Sequence, residues 1–239
     1  MRKILLLLLA LPLIGIAQNK TVISVDRYFP KTGKEQQFEK AVAAHAQKYH
    51  KGDNQWRVYY IETGPDAGGY HIVEGPKNWD GVDKRGNLGD AHTKDWDLTI
   101  QPLLTDKYTT GYYTFRDDLS STQLSNYSEK ISVNHWYFRP GYYGEVVANL
   151  QGLKKLWEKD GSTVAVYEAA LSGEPQFAIV TRYPNGLKVR DVANTAAMPV
   201  RFAAANGAAS WDTYLGNMKA AIAKQWTELL THKPEMDSK

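Results

Sequence analysis

Two residues with the chemistry of a proton-transfer pair lie in short, strand-like runs of this sequence. Asp26 ends the run Ile-Ser-Val-Asp, and His71 lies inside the run Tyr-His-Ile-Val. A carboxylate that contacts an imidazole orients the ring and raises its basicity, so such a pair can act as a general base. We therefore predict that Asp26 and His71 are catalytic. The alternatives are a purely structural hydrogen bond between them, or no contact.

A second set of residues predicts a ligand cavity. Side chains alternate between two faces along a strand, and one face of each of two similar strands carries polar and aromatic residues. These residues are Ser24, Asp26 and Tyr28 in the first strand, and Ser132, Asn134 and Trp136 in the second. We expect this face to point inward and to bind a small aromatic or amphipathic molecule. Arg116 is expected at the cavity mouth, where it would bind a ligand carboxylate.

The remaining histidines form no recognisable metal motif in the sequence. His92 and Asp95 share a face of a predicted helix, whereas Asp97 turns away from it. His45 lies on an apolar helix stripe and is expected at the margin of the core, and His135 is expected to face the helices. The chain has no cysteine and no CxxCH haem-attachment motif. We therefore expect no metal site and no cofactor.

The elements that must position these residues occur twice, 108 positions apart. Residues 23–26 recur as residues 131–134, and each run is followed by an aromatic pair, a basic residue and a glycine. An amphipathic helix follows each run, with apolar-side positions that step by four, three and four. The two stripes are Phe38, Val42, His45 and Tyr49 in the first copy, and Val146, Leu150, Leu153 and Trp157 in the second.

Each copy then continues with the same elements. Two strands form a hairpin, a looser helix contains Trp96 or Trp211, and a last strand is predicted at residues 113–119 or 230–236. The order β-α-β-β-α-β is that of the ferredoxin-like unit. We predict a signal peptide at residues 1–17, a first repeat at 18–120, a connector at 121–128 and a second repeat at 129–239.

This order of elements resembles the dimeric α+β barrel proteins, which include the antibiotic-biosynthesis-monooxygenase-like domains. The resemblance covers nearly the whole chain after the signal peptide and depends on element order, so no catalytic residue carries over by motif. It implies an α+β fold in which two ferredoxin-like sheets, here from one chain, pack against each other as a barrel. The group includes cofactor-independent oxygenases, haem-degrading enzymes and proteins without known activity.

The first 17 residues predict export. Arg2 and Lys3 precede an apolar run at residues 4–14, and Gly15 and Ala17 occupy the small-residue positions of a cleavage site. We expect a periplasmic or extracellular protein with no later membrane span. Without Arg2 and Lys3, 27 of the 29 basic residues remain against 26 acidic ones, so the charge gives no reason to expect nucleic-acid binding.

Three functions remain open at this point. The first is an exported protein that binds a small molecule inside the barrel. The second is an enzyme of the same shape, a cofactor-independent monooxygenase that uses Asp26 and His71. The third is a structural protein with a filled barrel. The polar strand face favours the first two, and the sequence does not indicate an oligomeric state.

Overall fold

The computed structural model describes residues 20–191 and 196–239, and within these ranges the chain forms eight β-strands and six α-helices. The predicted signal peptide, residues 1–17, lies outside the described residues. The strands are β1 Val22–Pro30, β2 Trp56–Ile61, β3 Tyr70–Lys77, β4 Leu104–Phe115, β5 Lys130–Phe138, β6 Thr163–Ala170, β7 Gln176–Arg182 and β8 Ile222–His232. The helices are α1 Glu35–Tyr49, α2 Trp79–Asp83, α3 Asp90–Thr99, α4 Tyr143–Asp160, α5 Met198–Asn206 and α6 Ser210–Ala221. None of these helices is long and apolar enough to cross a membrane.

The strands close into one antiparallel barrel, in the order β1-β3-β2-β8-β5-β7-β6-β4. The internal order of strands is the same on both sides: β4-β1-β3-β2 in residues 20–120, the first half, and β8-β5-β7-β6 in residues 129–239, the second half. The halves meet at two seams, where β2 pairs with β8 and β4 pairs with β6. The fold is therefore an α+β barrel to which each half contributes four neighbouring strands.

The interior of the barrel is lined mostly by apolar and aromatic residues, and its first strands are oriented opposite to the prediction. Ile23 and Val25 of β1, with Ile131 and Val133 of β5, belong to a buried cluster inside the barrel. This cluster leaves an interior cavity of only about 80 Å³. Asp26 and its polar neighbours point outward instead, toward the helices. Side chains fill an eight-stranded barrel while helices cover its outside, so apolar residues occur on both faces of these strands.

A buried ion pair in the interior joins the two halves. Arg27 of β1 donates from Nη1 to Glu228 Oε2 of β8 over 3.1 Å. His135 Nε2 of β5 lies 2.9 Å from the other oxygen of the same carboxylate. Glu228 is only 1% exposed. Because a buried charge is tolerated when it is paired and hydrogen-bonded, these contacts satisfy one carboxylate with groups from both halves.

The long helices cover the outside of the barrel with their apolar stripes. Phe38, Val42 and Ala46 of α1 pack against Tyr70 and Ile72 of β3. In the second half, buried residues of α4 pack in the same way on β7. The predicted helices around Trp96 and Trp211 are present as α3 and α6.

The last strand of each half begins earlier than predicted. β4 spans Leu104–Phe115 rather than residues 113–119, and β8 spans Ile222–His232 rather than 230–236. Residues 105–110 of β4 are exposed, although residues 108–110 pair with β1. Because exposed strand residues carry no apolar alternation, the sequence pattern could not identify this part of the strand.

The end of the chain returns to the first half. Met236 is fully buried in the same cluster as Phe38 and Val58. The backbone N–H of Trp56 donates to Ser238 Oγ over 2.8 Å, and that of Val58 donates to Asp237 Oδ1 over 2.9 Å. Residues 234–239 therefore complete the core beneath α1.

Candidate functional site

A cavity of about 310 Å³ lies outside the barrel, between the sheet of the first half and the helices α2 and α3. We call it the outer cavity. The strands β1, β3 and β4 form its floor, and Val82, Arg85, His92 and Trp96 come from the helical side. The remaining lining residues are Val22, Ser24, Asp26, Tyr28, Trp56, Glu74, Lys77, Tyr108, Thr110 and Tyr112.

Asp26 gives the outer cavity an acid–base group. The hydroxyl of Tyr108 donates to Asp26 Oδ1 over 2.8 Å. Burial raises the pKa of Asp26 above its ordinary value, although hydrogen bonds from Tyr108 and Thr110 oppose the increase. The Tyr28 ring lies between Tyr108 and Trp96, with ring centroids 5.1 and 5.0 Å away. This wall therefore combines a carboxyl group with aromatic surfaces on which a flat molecule can pack.

Glu74 connects the outer cavity to a group of histidines behind it. Its carboxylate accepts hydrogen bonds from His50 Nδ1 at 3.1 Å, Trp56 Nε1 at 2.9 Å and Arg85 Nε at 2.8 Å, and it also pairs with Lys77. Burial alone would raise the pKa of Glu74, but the bonds from His50, Arg85 and Lys77 outweigh burial and lower it. Glu74 is therefore a fixed anion that orients His50.

Three histidines converge at the inner end of the outer cavity. His45 lies in α1, His50 directly follows α1, and His92 lies in α3. Each offers a ring nitrogen, and these three nitrogens lie within 4.8 Å of one another. We call this group the histidine cluster. Its residues could hold a metal ion.

Carboxylates fix the orientation of two members of the histidine cluster. His45 Nδ1 lies 2.8 Å from Asp95 Oδ2, and His50 Nδ1 bonds to Glu74 as described above. The opposite nitrogens, Nε2 of His45 and Nε2 of His50, have no hydrogen-bond partner among the described residues. The backbone of Asn87 lies near the His92 ring. Among the described residues, however, neither ring nitrogen of His92 has a hydrogen-bond partner at regular geometry.

The surroundings of the histidine cluster keep its rings neutral. Burial lowers the pKa of His45, His50 and His92, and it outweighs the opposing effects of Asp95 and Glu74. The His50 ring stacks on Trp56 with centroids 3.6 Å apart. A neutral imidazole keeps a lone pair on one nitrogen, which is the form that binds metals.

The predicted pair of Asp26 and His71 is not formed. Residues directly opposite each other on paired strands share a face, and β1 aligns Asp26 with Ile72 and Arg27 with His71. Asp26 therefore lines the outer cavity, whereas His71 points into the barrel. Burial lowers the pKa of His71 well below its ordinary value, and the neighbouring charge of Arg27 adds to the effect. The prediction was wrong because it placed the polar face of β1 inside the barrel.

The other predicted ligand residues are divided between the halves. Ser24 and Tyr28 line the outer cavity with Asp26. Ser132 and Trp136 lie under the helices of the second half, where Ser132 Oγ is 2.9 Å from Tyr183 Oη and Trp136 is part of the core. Asn134 aligns with Ile179 of β7 and shares that face. The six residues therefore do not surround one cavity.

Arg116 also differs from its prediction as a free cation for a ligand carboxylate. Its guanidinium pairs with Asp118 over 2.6 Å and with Glu168 over 2.5 Å, and it donates to Tyr143 Oη over 2.7 Å. These acidic partners raise its pKa further. Arg116 thus stabilises the seam between β4 and β6.

The histidine cluster is a candidate metal site that the sequence did not predict. His45 and His50 are five positions apart, but His92 follows 42 positions later, so no short spacing motif unites the three. One signal was present: His45 interrupts an apolar stripe whose equivalent in the second half is Leu153. The face shared by His92 and Asp95 was a second signal, because Asp95 contacts His45.

Solved structures with low sequence identity share this architecture. An anthrone oxidase-like protein superposes with a TM-score of 0.58 at 12% identity, covering 90% of this chain and 92% of that protein. A candidate monooxygenase from Fusobacterium nucleatum gives 0.57 at 13% identity, with 88% and 91% covered. A chlorite dismutase from Candidatus Nitrospira defluvii gives 0.53 at 9% identity, with 91% and 93% covered.

These similarities show that the chain shares the α+β barrel architecture of these proteins, which is the fold class that the order of elements in the sequence predicted. At such identities the likeness extends to the fold alone. No protein-family model matches the sequence, and the search of curated proteins gave no match either.

Proposed function

We propose that this protein binds a small aromatic or amphipathic molecule in the outer cavity of its first half. The observation that carries the proposal is the lining of this 310 Å³ space, which combines aromatic rings with the partly buried carboxyl group of Asp26. Binding sites for small molecules combine aromatic walls with fixed polar groups, and in this cavity the polar groups form the larger part of the lining. The equivalent space in the second half is occupied by aromatic side chains, those of Phe202, Trp211 and Tyr214.

The predicted site at Asp26 is thus moved from the barrel interior to the outside of the sheet. The interior cavity of about 80 Å³ is lined mostly by apolar and aromatic residues and is small for such a ligand. Tyr108 lies at the rim of the outer cavity, and half of its surface is exposed. A ligand that enters beside Tyr108 would meet Asp26 and the Tyr28 ring first.

We further infer that the protein is exported and that its two halves are tandem ferredoxin-like units. The charged and apolar composition of residues 1–17 supports export to the periplasm or beyond. The shared strand order of the halves, together with the repeated sequence pattern, supports a tandem origin. Processing between Ala17 and Gln18 would give a new N-terminus that intact-mass analysis of exported protein detects.

Catalysis is the second candidate function, and Asp26 favours it. Because burial raises its pKa, its carboxyl group holds a proton at higher pH than an exposed aspartate does. Such a group can donate a proton to a bound molecule or remove one from it. The oxidase, monooxygenase and dismutase names of the structural neighbours fit an enzyme of this shape.

Calorimetric titration with aromatic probes tests the binding proposal. Phenol, 1-naphthol and 8-anilinonaphthalene-1-sulfonate cover neutral and anionic rings of increasing size. We expect at least one to bind, and Asp26→Asn or Tyr28→Ala to change its affinity about tenfold or more, the scale of one lost charged hydrogen bond. Asn134→Ala, at the position in β5 equivalent to Asp26, is the matched control and should change it less than about twofold. Equal effects of Asp26→Asn and Asn134→Ala would contradict the placement of the site.

A further inference from the structure

The histidine cluster holds three of the six histidines of the chain. His45 and His50 are almost completely buried, and His92 is half-buried. One ring nitrogen of each lies within 4.8 Å of the other two, and Nε2 of both His45 and His50 has no hydrogen-bond partner among the described residues. A buried polar atom that lacks a hydrogen-bond partner destabilises a folded protein. Several such nitrogens at one point therefore indicate that something else binds there.

The spacing of these nitrogens is close to that of a metal centre. Zinc binds imidazole nitrogens at about 2.0–2.1 Å in a tetrahedron, which places two such nitrogens about 3.3 Å apart. The separations in the cluster are at most 4.8 Å. Each pair must therefore approach by about 1.5 Å or less when an ion binds. Two of the rings are already held in a fixed orientation by their other nitrogens.

The hydrogen bonds behind the rings match those found behind metal-binding histidines. Such ligands usually donate their second ring N–H to a carboxylate or a backbone carbonyl, which fixes the ring and makes the other nitrogen more basic. His45 has Asp95 in this position. His50 has Glu74, and its Nδ1 also lies 3.2 Å from the carbonyl oxygen of Asn54. In both rings, the nitrogen left free is Nε2.

The fold itself does not require histidines at these places. Position 153 of α4 corresponds to His45 of α1, and there the second half has a leucine that is buried in an apolar core. A close cluster of aromatic rings could also pack without any ion, as Trp56 and Trp96 do beside it. Packing alone, however, gives no reason for carboxylates behind two of the rings and free nitrogens in front of them.

We propose that His45, His50 and His92 bind one divalent transition-metal ion of borderline softness, of which Zn²⁺ is the representative. Imidazole ligands suit zinc, copper, nickel and iron, whereas magnesium and calcium prefer oxygen. A haem iron fits less well, because the porphyrin takes four positions and leaves two on opposite sides of its plane. Three nitrogens that converge from one side suit a bare ion.

The three protein ligands leave a coordination position free. No fourth histidine, aspartate or glutamate joins the cluster within residues 20–191 and 196–239. His92 lines the outer cavity together with Trp56 and Trp96, both of which contact the cluster. Zinc sites with three protein ligands and one open position are typical of catalytic rather than structural zinc. The metal would thus offer a Lewis acid to whatever occupies the outer cavity.

The test uses the full-length mature protein without a histidine tag, stripped with a chelator and dialysed. Zn²⁺ is measured by mass spectrometry after removal of free ion, and Co²⁺ by its visible d–d absorption. We expect one ion per chain, a four- or five-coordinate Co²⁺ spectrum and competition between the two ions. Less than a tenth of an ion per chain at micromolar metal would overturn the proposal.

Variants locate the ion. His92→Ala should weaken Zn²⁺ binding more than about 100-fold, and Asp95→Asn, behind His45, about 10–100-fold, the range found for partners of ligand histidines. His232→Ala is the matched control, because His232 also bonds to a carboxylate, Asp237, but lies outside the cluster. Circular dichroism establishes that each variant is folded. Unchanged affinity in both His92→Ala and Asp95→Asn would exclude the cluster as the site, even if the wild-type protein binds metal.

The result is independent of the calorimetry with aromatic probes. If the protein binds Zn²⁺ but none of the aromatic probes, the metal-site proposal is supported and the proposed ligand class is refuted. If it binds a probe but no metal ion, the ligand proposal for the outer cavity is supported and the metal-site proposal is refuted.

Discussion

The two halves of the barrel have the same strand order, but they differ in what fills the space between the sheet and the helices. In the first half this space contains the outer cavity, the anion Glu74 and the histidine cluster. In the second half, α5 and α6 bring Phe202, Trp211 and Tyr214 against α4 and the sheet. One fold thus accommodates a polar, partly empty layer and an apolar, filled one. The polar layer is therefore a specialisation of the first half, and stability alone does not require it.

The way the helices attach differs accordingly. In the second half, Gly152 of α4 allows the Phe202 ring to come so close that an added Cβ would lie 2.7 Å from it. Asn149 also donates to the carbonyl of Tyr214 over 3.0 Å. In the first half, α3 is joined to α1 by the bond between His45 and Asp95. Close packing holds the helices of one half, and polar contacts around a cavity hold those of the other.

The largest expected effect comes from breaking the polar layer at Glu74. Glu74→Gln leaves Lys77, which is 4% exposed, and Arg85 without their anion. Breaking a buried ion pair in this way should lower the free energy of unfolding by about 3–5 kcal/mol. Thr181 is the matched position, since it pairs with Ser132 as Glu74 pairs with Ser24. Thr181→Ala should cost less than about 1 kcal/mol in urea unfolding, and a similar loss for both variants would remove the contrast between the halves.

A reciprocal exchange gives the next largest effect. Leu153→His places an imidazole in the apolar core of the second half and should lower the free energy of unfolding by about 2–4 kcal/mol. His45→Leu gives the first half the apolar residue of the second and should change the stability of the metal-free protein by less than about 1 kcal/mol. Urea unfolding in the presence of a chelator measures both. If His45→Leu costs as much as Leu153→His, the histidine contributes to the fold itself and the comparison fails.

A smaller effect tests the close packing of the second half. Gly152→Ala adds a Cβ against the Phe202 ring, and overpacking of this kind should cost about 1–3 kcal/mol. Gly144→Ala in the same helix has no atom within 4 Å of its new Cβ. This control should be neutral or stabilise the protein by up to about 1 kcal/mol. Thermal unfolding of the two variants separates them, and a neutral Gly152→Ala would mean that Phe202 can move away.

The order of elements was readable from the sequence because it is repeated. The stripe of α1 and the hairpin of β2 and β3 each have a counterpart 107 or 108 positions later, and both proved correct. The sequence did not show which face of each strand points into the barrel. Ile23 and Val25 are buried inside the barrel, and Tyr70 and Ile72 are buried under α1, so alternation alone does not show which side is the interior.

The site was predicted only in part. Ser24, Asp26 and Tyr28 were recognised because polar and aromatic residues alternate along β1, and they do line one cavity. The histidine cluster depends on the approach of α3 to α1, between residues some 40 to 50 positions apart. Local spacing contains no information about such a contact, so His45 was assigned to the margin of the core. His71 points into the barrel as expected, whereas Asp26 lies on the opposite face of the sheet, so the predicted pair does not form.

The position of Met236 has a consequence for the timing of folding. The core of the first half contains this residue, from the end of the chain, and the backbone of β2 bonds to Asp237 and Ser238. The first half is synthesised first, yet its core beneath α1 stays incomplete until residues 234–239 have been made and can pack against it. Synthesis of the first half and completion of its core are therefore separate events, and the later one takes place beside α1, the helix that carries His45.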